Sequence, residues 1–141
     1  VSAEPGCIFC RIVAGEAPCH RVYQDAGVLA FMDIRPVSRG HTLIIPKPHF
    51  ENLFEASEDA MAAVARVSVR IANAIRTVCE PDGVFVAQTN GVAAGQTVFH
   101  YHLHLIPRWY GSGPQIHGRV EADPAVLADL AGRFRGALGE G

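Results

Sequence analysis

Seven histidines occur in this 141-residue chain, and three of them, His100, His102 and His104, fall within five residues. On a β-strand alternate side chains share one face, which would set these imidazoles about 6.6–6.8 Å apart in a row. Read over 98–106, Phe99, Tyr101, Leu103 and Leu105 form the opposite, apolar face, with Val98 and Ile106 at the ends. A single histidine is most simply a core or surface residue. Three in register on one face are poor strand fillers, and charging them together would cost like-charge repulsion. Neutral imidazole is a nucleophile, a general base and a metal ligand, while imidazolium donates to phosphate oxygens. Close neighbours depress one another's proton affinity, so near pH 7 the row should hold both neutral and cationic members. That mixture suits attack on phosphorus, one ring attacking while another stabilises the equatorial oxygens. It suits a three-histidine zinc site that activates water equally well. The spacing does not decide between them.

Two further patterns carry chemistry. The stretch Asn90-Gly91-Val92-Ala93-Ala94-Gly95-Gln96-Thr97 combines two glycines, amide side chains and a hydroxyl just before the histidine row. Backbone N–H groups in such a turn can approach phosphate oxygens, although an ordinary hairpin loop would read the same way. It is no Walker motif, because Gly95 is followed by Gln96, and Gly111-Ser112-Gly113 is no dinucleotide fingerprint, because Ile116 holds the third glycine position. Cys7-Ile8-Phe9-Cys10 is a C-x-x-C, half of a zinc site or a redox pair. A redox pair would open a helix in a βαβ pattern, which the surrounding sequence does not offer, and zinc needs two more ligands from elsewhere. Cys19 and Cys79 read as small apolar fillers.

The elements that must position these residues follow from periodicity and turn signals. Short strands are expected at about 20–24, 28–33 and 41–46, bounded by Asp25, Gly27, Pro36 and Gly40. Ser57 caps a long amphipathic helix with Glu58 and Asp59 in its first turn. Its apolar stripe is Met61, Val64, Ser68, Ile71, Ile75 and Val78, and it ends before Pro81. Strands at about 83–89 and 98–106 follow. A second helix opens at Asp123-Pro124 and buries Leu127, Leu130, Phe134 and Leu138. Strands outnumber helices and lie close enough for hairpins, so the expected fold class is α+β with a mostly antiparallel sheet.

Composition limits the alternatives. With 49% apolar and 18% charged residues the chain is not a disordered polymer, and about 140 residues can bury a core without a disulfide framework. A formal charge of −2 without a basic run argues against broad electrostatic binding of nucleic acid, and no apolar run approaches a membrane span. The absence of a signal-like segment and of a disulfide pattern leads us to expect reduced thiols and a cytoplasmic location. One domain over 1–141 is expected, with a tail at 1–6 and a C-terminal extension at 109–141.

His100-Tyr101-His102-Leu103-His104-Leu105-Ile106 resembles the signature of the histidine triad (HIT) family of nucleotide hydrolases and transferases. The likeness extends to Cys7–Ile12 with Gly15–Pro18, to Leu29–Pro36, and to Gly40–His49, covering residues 7 to about 108 in the family's order. The branch it is most similar to is that of the histidine triad nucleotide-binding proteins, in a zinc-carrying bacterial type.

The resemblance implies roles. His102 would be the nucleophile that takes up a nucleotidyl group. His104, Gln96 and Thr97 would contact the phosphate, with Thr97 also near the leaving group at a position where this branch often has Ser. Asn90 would hold the phosphate side, Asp33 the ribose hydroxyls, and Ile8, Phe9, Ile12, Phe31 and Ile34 the base. Cys7, Cys10, His49 and His100 would form a structural zinc site, no metal being needed for the chemistry. His20, His41 and His117 receive no role. The implied activity is hydrolysis of purine nucleoside phosphoramidates or related monophosphate derivatives, by a homodimer whose sheets join. The rivals are a dinucleoside polyphosphate hydrolase, a non-enzymatic sensor of AMP or GMP, and a hydrolase with zinc on His100, His102 and His104. The tail from Trp109 onward would reach a neighbouring subunit on the leaving-group side.

Overall fold

The continuous apolar runs Val28–Met32 (β2) and Thr42–Pro46 (β3) are buried along their full length, because both faces of the sheet are covered where they run. The structure, a computed structural model, describes residues 3–118 and 120–139. A short helix α1 (Ile8–Val13) precedes β1 (Arg21–Gln24), β2 and β3. The long helix α2 (Glu58–Cys79), β4 (Gly83–Ala87), β5 (Leu103–Arg108) and the C-terminal helix α3 (Pro124–Ala137) follow. The five strands form one antiparallel sheet in the order β1-β2-β3-β5-β4. This is the expected α+β class, with its long and C-terminal helices.

Alternation divides the side chains between two layers. Val28, Ala30, Met32, Ile44 and Leu105 face α2 and α3, where they pack with Val64, Val67, Ile71, Ile75, Leu127, Leu130 and Phe134. Leu29, Phe31, Leu43 and Ile45 face the other way and pack against Phe9 of α1. Leu43 is paired with His104, so the histidines of the row emerge on the α1 side of the sheet, away from the long helices. Helix α2 forms where its caps place it. Ser57 Oγ accepts from the Ala60 N–H, Glu58 and Asp59 occupy the first turn, and Glu80 closes the helix in a left-handed conformation before Pro81. Asp123 caps α3 in the same manner, with Pro124 at its first position. Leu138, expected in its buried stripe, is half-buried at the C-cap.

Three boundaries depart from expectation. The strand expected over 98–106 begins only at Leu103, and Phe99 is 39% exposed, not part of an apolar face. The ladder between β3 and β5 stops at the pair Ile44–Leu103. Beyond it the Pro46 carbonyl accepts from the His100 ring at 2.8 Å, and the Tyr101 N–H goes to the Phe50 carbonyl at 2.7 Å. A side chain thus takes a ladder position and turns the backbone out of the sheet. Second, the strand expected to 89 ends at Ala87. Third, α1 was not anticipated. The C-terminal helix packs on α2 and β1 of its own chain. Of the expected tail and extension, residues 1–2, 119 and 140–141 lie outside the described residues. Among the described residues no helix is long and apolar enough to cross a membrane.

Candidate functional site

On the α1 side of the sheet two clusters adjoin. The first gathers Cys7, Cys10, His49 and His100, whose donor atoms all lie within 4.8 Å of one another. Cys7 is the N-cap of α1, its sulfur accepting the Cys10 N–H at 3.3 Å, which aims both thiols the same way. Cys7 Sγ lies 3.4 Å from His100 Nδ1, and Cys10 Sγ lies 3.3 Å from His49 Nδ1 and 3.6 Å from His100 Nδ1. A tetrahedral zinc with bonds of about 2.3 Å to sulfur and about 2.0–2.1 Å to nitrogen requires edges of about 3.3–3.8 Å. The donor set fits. The Pro46 carbonyl can only accept, so the proton of neutral His100 sits on Nε2 and the lone pair of Nδ1 faces the sulfurs. Burial raises the Cys7 thiol above its ordinary value, a bias toward the thiol that a bound cation would reverse.

The second cluster contains the rest of the row, and its proton positions can be read from partners with only one possible role. His102 Nδ1 lies 2.8 Å from the His100 carbonyl, so it carries the proton and leaves a lone pair on Nε2. The Val37 N–H donates to His41 Nδ1 at 3.0 Å, so the proton of neutral His41 is on Nε2. That atom is 3.0 Å from His104 Nδ1, which must accept, and the proton of His104 is therefore on Nε2. His104 Nε2 is buried without a hydrogen-bond partner in the protein. The rings of His102 and His104 are 4.9 Å apart, one with a lone pair at Nε2 and the other with an N–H there.

Burial holds these rings neutral. It brings His41 and His104 down to about 3 and His100 to about 4, with neighbouring imidazoles adding to the effect. His102 is lowered too, mainly by burial, while its bond to the His100 carbonyl opposes the shift. The expected mixture of neutral and cationic members is therefore corrected: desolvation, absent from a reading of spacing, outweighs the contacts that would favour a charged ring.

A cavity of about 600 Å³ opens over this cluster. Its lining includes the apolar residues Ile8, Phe9, Ile12, Phe31 and Ile34 together with Asp33, Thr97, His102 and His104. The Phe9 ring stands edge-on to His102 at 5.3 Å. Asp33 accepts the Arg35 N–H at 2.9 Å and sits 3.5 Å from His41 Nε2, and burial raises its carboxyl. Asn90 and Gln96 do not line the cavity. Gln96 is buried and ties the loop internally, donating to the Glu51 and Val98 carbonyls and accepting the Gly91 N–H. Asn90 accepts the Leu53 N–H at 2.7 Å and pairs with the Gln88 amide. Both shape the loop that presents Thr97.

Two further histidines, given no role by the sequence, belong to the site. His41 is fully buried beside His104, and His117 lines the cavity with its ring 5.7 Å from that of His104. A buried polar residue at the head of the apolar run 42–46 was a signal for His41, but the irregular loop around His117 offered none. The three-histidine metal site finds no support. The donor groups that converge among the described residues are the Cys2His2 set and Asp33–His41–His104.

Residues 14–110 match the HIT domain family. The chain belongs to the HIT family. The "Protein hit" of Bacillus subtilis (strain 168) is 50% identical to this HIT protein over 107 residues, 76% of this chain and 73% of that one. The crystal structure of a Zn-bound histidine triad family protein from Mycobacterium smegmatis superposes with a TM-score of 0.84 at 41% identity. That match covers 95% of this chain and 94% of the other. The adenylylsulfatase HINT3 of Arabidopsis thaliana is 43% identical over 102 residues, 72% of this chain and 52% of that protein.

Proposed function

We propose that this HIT protein hydrolyses purine nucleoside phosphoramidates or related nucleoside monophosphate derivatives through a nucleotidyl-histidine intermediate. The observation that carries the reading is the opposite proton placement on adjacent rings: a lone pair at His102 Nε2 beside an unpaired N–H at His104 Nε2. The first can attack phosphorus, and the second can meet the oxygen on which charge develops. The apolar end of the cavity would hold the base between Phe9, Ile8, Ile12, Phe31 and Ile34, and Asp33 would accept from the ribose hydroxyls.

In the first step the bond from His102 Nε2 to the α-phosphorus forms as the phosphorus–nitrogen bond to the leaving amine breaks. Thr97, exposed and lining the cavity, would pass the amine a proton and recover one from water. In the second step water attacks the phosphorus, its proton is released, and the bond to His102 breaks. A nucleoside monophosphate leaves and neutral His102 returns. The Arabidopsis relative's name, adenylylsulfatase, is in keeping with chemistry at an adenylyl phosphorus.

Cys7, Cys10, His49 and His100 would hold a structural zinc. When bound, the ion supplies charge that keeps both sulfurs as thiolates and joins α1 to the segments carrying His49 and His100. A homodimer joined along the sheet is part of the proposal, supported by the free edge of β4, where Val86 is 51% exposed.

Incubation with adenosine phosphoramidate, with metal content measured in parallel, tests the reading. Wild type should release AMP, and His102→Ala should abolish turnover while zinc stays bound. Loss of zinc in that variant, together with inactivation of wild type by mild chelation, would favour a metallohydrolase. AMP binding without turnover would favour a sensor.

A further inference from the structure

The segment after β5 brings a further imidazole to the cavity beside the histidine row. That segment is tied down on both sides of His117. Arg108 donates to the Gln115 carbonyl at 2.6 Å, and the Ala122 N–H donates to the Ile34 carbonyl at 2.9 Å. Gly118 lies against the turn that follows Asp33, so closely that a Cβ there would collide with the Arg35 and Pro36 carbonyl oxygens. Between these ties His117 lines the cavity, its ring set between the Gly95 carbonyl and the His104 ring. Its Nε2 is 2.9 Å from that carbonyl, which can only accept, and so Nε2 carries a proton. The ring stands nearly perpendicular to that of His104, with centroids 5.7 Å apart. His117 is also exposed, and with Nε2 engaged its Nδ1 is the ring atom left for a ligand.

We propose that His117 is a substrate-contacting residue that meets the phosphate of the bound nucleotide opposite His104. This rests on the nucleotide reading above and adds to it a contact from outside the histidine row. An anion arriving beside an exposed imidazole favours its protonated form. His117 Nδ1–H would then donate a charge-assisted hydrogen bond to a phosphate oxygen while Nε2–H keeps hold of Gly95. A nucleoside without phosphate gives His117 nothing to bind.

The test uses the full chain, with AMP and adenosine as probes. Affinities are measured by calorimetry for wild type and His117→Ala, and the histidine ring nitrogens of wild type are followed by 15N NMR. His117→Ala should weaken AMP by about tenfold or more and leave adenosine unchanged. The His117 ring signals should move toward the imidazolium form with AMP and stay in place with adenosine. Equal AMP affinity in wild type and variant, or His117 signals unmoved by saturating AMP, overturns the inference and leaves the nucleotide reading intact. Failure of wild type to bind AMP at all overturns both. A merely structural hold on Gly95 would weaken binding without the change at the ring nitrogens, and that result also counts against the proposal.

Discussion

His41 Nε2 lies 3.0 Å from His104 Nδ1, and both rings are buried. Because the Val37 N–H occupies the other nitrogen of His41, the proton between the two rings belongs to His41. The bond therefore fixes which nitrogen of His104 faces the cavity as a donor. A backbone N–H three positions after Ile34 in effect sets the polarity of a ring on another strand.

Removing His41 should release that setting. His41→Phe keeps bulk but not the donor, and kcat for adenosine phosphoramidate should fall by about 10–100-fold, with a smaller change in KM. Steady-state kinetics on the folded variant provide the check. An unchanged kcat would mean that His104 needs no such orientation.

The same burial makes stability depend on pH. His41 and His104 are brought down to about 3, whereas imidazoles of an unfolded chain titrate near 6.5. As pH falls below about 6.5 the unfolded chain takes up protons that the folded one refuses, so the contribution is fully present above 6.5 and is lost toward about 3. Urea midpoints should fall steadily from pH 7 to pH 4. His104→Asn, which removes one of the titrating rings, should flatten that decline. An equally steep decline in the variant would place its origin elsewhere.

The Cys2His2 cluster makes a separate prediction about metal. Cys10→Ser should lower bound zinc below one per chain and reduce the thermal midpoint, while His102→Ala should keep its zinc at the wild-type level. Elemental analysis with thermal melting decides this. The division is expected because His100 Nδ1 faces the cysteines while His102 points its free nitrogen into the cavity.

Gly40 links the site to the helical layer. Its φ is +95°, and a Cβ there would come within 2.8 Å of Cys79 Sγ and 3.1 Å of Pro107. Gly40→Ala should cost roughly 1–3 kcal/mol, read by urea denaturation, and should displace the adjacent His41. A loss below a few tenths of a kcal/mol would show that the turn relaxes freely.

Much of this was legible in the sequence for physical reasons. Helix α2 has a Ser57 cap, acidic first-turn residues and a 22-residue run with one apolar face, so local and tertiary preferences agree. Strands β2 and β3 showed as apolar runs between turn formers. Helix α1 was hidden because it spans six residues and its cap is Cys7, not one of the usual oxygen-bearing residues. The C-x-x-C announced a possible metal half-site, but not that His100 would leave the sheet to complete it. His41 and His104 are 63 residues apart, and only the register of β3 on β5 brings them into contact. The charge state of the row also escaped spacing arguments, because burial governs it.

The proposed bond between His102 Nε2 and the α-phosphorus is open to direct measurement. Wild-type protein would be mixed with adenosine phosphoramidate, quenched within the first turnovers, and analysed by intact-mass and peptide mass spectrometry. The expected result is a population heavier by one adenylyl group, mapped to His102 and absent from His102→Ala. Turnover without any adduct, or an adduct on another residue, would contradict it.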